Sequence, residues 1–99
     1  MTPADHAVGE QAAHAFLSPI LGWKEFMVRQ YEPKAVQLIV ETADKQAGDV
    51  PTKEHAAAMA LYRSISDAGY GGQVTSTQCA SLCVAVYQAV LKARGLPVA

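Results

Sequence analysis

The chain is short of charge, of cysteine and of long apolar runs, and each shortage removes a class of protein. Only 17% of its 99 residues are charged, and eight basic residues against nine acidic ones leave a net charge of −1. The basic residues are scattered. No cluster of Lys and Arg exists to release counterions from nucleic acid or to hold an anionic membrane surface. Two cysteines do not make a disulfide framework, and Cys79 and Cys83 stand four apart. In a helix that spacing keeps their Cβ vectors nearly parallel, which is unsuited to pairing. The most apolar stretch, Cys79 to Leu91, is interrupted by Ser81 and Gln88 and falls short of the ~20 residues of a bilayer span. Asp5, His6 and Glu10 occupy the place where a secretory signal would carry a basic and then an apolar segment. A reducing, cytoplasmic setting with no membrane partner is the expectation. Strand-like alternation of apolar and polar residues is missing as well, beyond a few positions.

What the chain does have is apolar residues, 51% of the total, and regular helix punctuation. Half-apolar and nearly neutral, it reads as globular rather than disordered, and its length fits one domain over residues 1–99. Thr2-Pro3-Ala4-Asp5 reads as an N-cap, a proline at the first helical position and an acid at the third, opening a first helix to about Leu17. Val8, Ala12, Ala15 and Phe16 form its apolar face. Ser18-Pro19 restarts the chain for a second helix to about Tyr31. Glu32-Pro33 makes another junction, because a residue before proline avoids the α region. A third helix spans Pro33 to Ala47, with Val36, Ile39, Val40, Ala43 and Ala47 on its apolar side.

Gly48 suits the position just past that helix, and Thr52 reads as the cap of a fourth from Lys53 to Ala68. Its core face is Ala58, Leu61, Tyr62 and Ile65. After Gly69-Tyr70-Gly71-Gly72, Thr75-Ser76-Thr77-Gln78 matches a capping box for a fifth helix ending at Arg94-Gly95. That helix is apolar nearly all round, with Ser81, Gln88 and Lys92 its only polar line. The spacing therefore predicts an all-α, compact bundle of about five short helices around a buried C-terminal helix.

The second predicted helix carries more apolar surface than one core contact needs. At 100° per residue, Ile20, Leu21, Trp23, Phe26, Met27, Val28 and Tyr31 cover roughly 220° of its circumference. A core contact needs about 100°. Trp, Tyr, Phe and Met are enriched at interfaces, so Trp23, Phe26, Met27 and Tyr31 are the candidate partner-binding residues, for another protein or for a second copy. Wedging of this helix between its neighbours would cover both flanks without any partner. Lys24 falls within the same arc. It either reaches out to water or awaits an acidic partner or a small anionic ligand, with Arg63, Tyr31 and Tyr62 as neighbours should packing allow. Tyr70, at the tip of the glycine turn, is a further candidate contact.

Other constellations fall short of a site. His6, Glu10 and His14 share one face, but the two histidines are eight apart, about 12 Å along a helix, too far for one metal ion. Cys79 and Cys83 lack two further zinc ligands and a histidine base, and read as buried, inert thiols. His55, in the first turn after its cap, reads as solvated. The glycine turn is no phosphate loop, since it follows a helix and precedes no Gly-Lys-Ser/Thr. Thr75 to Ser81 would suit a DNA-recognition helix, yet no Lys or Arg follows before Lys92, and the preceding turn is long for that motif. With no nucleophile–base pair, paired carboxylates or metal set, and no cofactor motif, a non-enzymatic interaction module is the expected class. A small DNA-binding regulator and a binder of a small anion near Lys24 are the alternatives.

Overall fold

A computed structural model describes residues 2–19, 25–69 and 75–96, with only the backbone described for 25–31. Among the described residues are four α-helices and no strand: α1 (Pro3–Leu17), α2 (Glu25–Lys45), α3 (Val50–Asp67) and α4 (Ser76–Ala93). The protein is all-α. The helix ends follow from capping chemistry. The Thr2 hydroxyl accepts from the Asp5 backbone N–H at 3.1 Å, and the Asp5 carboxylate accepts from the Thr2 backbone N–H at 3.4 Å. Thr75 and Gln78 repeat the same reciprocal box at the start of α4. At the other end of α4, Gly95 has φ +76°, Gly95 N–H donates to the Lys92 carbonyl, and Leu96 N–H donates to the Leu91 carbonyl. This pair of bonds is a Schellman closure, and its left-handed residue is the position that favours glycine.

Three expectations about the elements are corrected. There are four described helices rather than about five, because the chain runs helical straight through Glu32-Pro33. An interior proline removes one hydrogen bond and costs about 3 kcal/mol. Ala35, Val36, Ile39, Val40 and Ala43 are fully buried just beyond it, and that burial offsets the loss. Ser18 closes α1, its hydroxyl donating to the His14 carbonyl at 2.7 Å, and Pro19 lies in a turn rather than in a helix. Asp49, not Thr52, caps α3: its carboxylate accepts from the Thr52 backbone N–H at 2.9 Å.

The core faces also differ in two places. α1 buries Asp5, Gly9, Ala13 and Leu17, one position round from the expected face, while Phe16 and Ala12 pack only at the core's edge. The small residues decide this. A Cβ at Gly9 would stand 2.5 Å from Val36 Cγ1, so α1 meets α2 there with no room for a side chain, while Val86 Cγ1 of α4 at 3.5 Å would be in ordinary contact. In α3, Leu61, Ile65 and Ala58 are buried, but Tyr62 stays 37% exposed.

α4 packs against all three other helices, burying Cys79, Leu82, Cys83, Val86, Tyr87, Val90 and Leu91. It is not enclosed all round: Ala80, Ser81 and Val84 remain at the surface. No described helix is long and apolar enough to cross a membrane.

Candidate functional site

The partner-binding candidates divide by position. Trp23, Lys24 and Tyr70 lie outside the described residues. Phe26, Met27 and Tyr31 stand on the helical backbone of α2, and their side chains are outside the described set. Two of the neighbours proposed for Lys24 are themselves brought together. Tyr62 and Arg63 line a groove of about 470 Å³ between α3 and the first turns of α4.

That groove is built by helix spacing. His55, Met59, Tyr62 and Arg63 recur at three- and four-residue intervals along α3 and so share its outer face. Ala58 on α3 and Ala80 on α4 form part of the wall, and their small side chains leave the space open. Ser76 and Thr77 bring two hydroxyls from the start of α4. Met59 is 57% exposed, the most exposed large apolar residue among those described. Among the described residues no carboxylate lines the groove. Arg63 makes no ion pair or hydrogen bond with any described residue. The spacing puts Tyr62 on the core face and does not single out Met59, whereas both are exposed. The available signal was Met59 and Tyr62 on the flank of α3 beside a run of alanines.

The strongest polar cluster ties the helix ends together. Arg94 Nη2 donates to Asp5 Oδ2 at 2.7 Å and Nε to the same oxygen at 3.2 Å, while Nη1 and Nη2 each donate to Asp44 at 3.0 Å. The Tyr87 hydroxyl donates to Asp44 Oδ1 at 2.9 Å. The hydrogen bonds from Arg94 hold the Asp5 and Asp44 carboxyls below their ordinary range, against the opposing effect of burial. Burial, then the bond to Asp44, pushes the Tyr87 hydroxyl up to about 12. Every member has a partner within the chain. The arrangement joins the start of α1 to the ends of α2 and α4, and it offers a ligand little.

Glu54 is the second buried acid, 7% exposed, with Gln88 Nε2 donating to it at 3.4 Å. Burial raises its pKa and the Gln88 bond opposes that rise only in part. Cys79 and Cys83 are free thiols with no exposed surface, and burial pushes both upward, most strongly Cys83, which also feels Cys79 and Glu54. Neither is poised as a thiolate.

The polar face of α1 is also spoken for. His6 Nε2 meets Glu10 Oε1 at 3.4 Å, and His14 Nδ1 meets Glu32 Oε2 on α2 at 3.3 Å. Among the described residues no group of three His, Cys, Asp or Glu is gathered for a metal ion. No protein-family model matches the chain, and neither a curated protein nor a solved structure gives a significant match.

Proposed function

We propose that the protein is a non-enzymatic helical interaction module that docks on another protein, or on a second copy of itself, through the first half of α2. The observation that carries this reading is the unbroken backbone of α2 across Pro33, which puts both halves of the helix on one wheel. Ala35, Val36, Ile39, Val40 and Ala43 define the buried side. At 100° per residue, position 27 falls about 150° from the centre of that side, and positions 26 and 31 about 110° to either flank. Met, Phe and Tyr at those positions exceed what the buried side of the same helix calls for. Trp23 and Lys24 immediately precede them and belong to the proposed contact, with Tyr70 as an outlying member.

The DNA-binding alternative is less favoured, because Ser76 and Thr77 turn to the α3/α4 groove and α4 has no basic residue before Lys92. A photo-reactive phenylalanine at position 27, compared with one at the exposed position 37 of the same helix, tests the α2 reading. The expected result is a discrete cross-linked species from position 27 alone, of dimer mass for self-association or larger by one defined partner. Equal or absent cross-linking at the two positions would reject it.

A further inference from the structure

We propose that the groove between α3 and α4 is a binding site for a small amphiphilic monoanion, an apolar body bearing one carboxylate or sulfonate group. This goes beyond the α2 contact and stands on different residues. The groove's volume, about 470 Å³, lies in the range of about 300–1,000 Å³ typical of small-molecule clefts. Its apolar part is Met59, the ring of Tyr62 and Ala80. Met59 is 57% exposed and Tyr62 37% exposed, so a flat or flexible apolar body has two large side chains to cover. A thioether against an aromatic body is a favourable contact, and methionine adapts its shape to irregular ligands.

The polar part selects the charge. Arg63 lines the groove with no ion pair or hydrogen bond to any described residue, in contrast to Arg94, which is fully engaged with two aspartates. The lining has hydroxyls from Ser76 and Thr77 and the His55 imidazole, and among the described residues no carboxylate to repel an anion or compete for the guanidinium. A planar guanidinium receives a carboxylate or sulfonate through two parallel N–H bonds. Apolar cover and a single unmatched cation in one cleft fit an amphiphilic monoanion better than a neutral apolar molecule, which leaves Arg63 unpaired. They also fit it better than a cation.

The test uses the full chain and two fluorescent probes of similar shape, anionic 8-anilinonaphthalene-1-sulfonate and neutral N-phenyl-1-naphthylamine. Titrations of the wild type and of Arg63→Gln are read beside the methyl NMR signal of Met59. The expected result is one sulfonate bound per chain with the Met59 methyl shifted, and about a tenfold loss of affinity in Arg63→Gln, the scale of one charge-assisted hydrogen bond. Affinity for the neutral probe should stay unchanged. Arg63 has no partner to lose among the described residues, so the variant should fold as the wild type does, which a thermal melt checks. The proposal is overturned by absence of sulfonate binding, by binding that leaves the Met59 signal still, or by equal loss of both probes in the variant. None of these outcomes bears on cross-linking from position 27.

Discussion

The two buried acids among the described residues, Asp5 and Glu54, respond to pH in opposite senses, and the difference lies in their partners. Asp5 and Asp44 are held by Arg94 below their ordinary value of 3.8. Their contribution to stability is fully present above about pH 4 and is lost as the pH falls through the lowered values. Glu54 is raised above its ordinary 4.5 by burial. Its contribution is present below pH 4.5 and is lost as the pH rises through the raised value, where a charge must sit in the core. Arg94→Gln and Glu54→Gln therefore shift the stability–pH profile in opposite directions. Arg94→Gln should cost about 2 kcal/mol at pH 7, less than the ~3–5 of a fully buried pair because Arg94 keeps part of its side chain in water. That cost should narrow below pH 4 as the aspartates protonate. Glu54→Gln should raise the melting temperature at pH 7, with no gain remaining at pH 3. Urea titrations at pH 3, 5 and 7 decide both, and parallel shifts for the two variants would contradict the assignment.

At the scale of elements, Gly9 lets α1 pack tightly on Val36 of α2. Replacing it with Ala improves helix propensity by about 1 kcal/mol but drives a methyl into Val36, and overpacking costs about 1–3 kcal/mol. Val36 is fully buried and stiff at χ1, so α1 must move away. Gly9→Ala should lower stability by about 1 kcal/mol on thermal unfolding, and a rise in melting temperature would show that the helices have room. Helix existence, the caps at Thr2 and Thr75, and the core rows Val36-Ile39-Val40-Ala43 and Leu61-Ile65 were legible in the sequence, because capping and periodicity are local. The continuity of α2 was not. The bias of a residue before proline is local too, but here it is outweighed by packing beyond Pro33. The face of α1 was misjudged for a related reason: apolar counting favours Phe16, whereas contact distance favours Gly9 and Ala13. The groove was hidden because Ala58 and Ala80 show their value only when α3 and α4 lie side by side.

Across the whole molecule, the four helices share one core, and Arg94 ties three helix ends at one point of the bundle. The two surfaces proposed for function are the cleft between α3 and α4, and the first half of α2, whose apolar positions run past the buried side of the same helix. The second is the central claim, since it alone unites the over-apolar segment seen in the sequence with the unbroken helix of the fold. It is tested most directly by purifying the tagged protein from its native cell beside Phe26→Asp and Trp23→Ala, with native mass, mass spectrometry and circular dichroism read on each. The account predicts that the wild type elutes above monomer mass, as a self-associated species or with one stoichiometric partner. Both variants should keep their helix content and elute as monomers. Variants that retain the mass and partners of the wild type would contradict it.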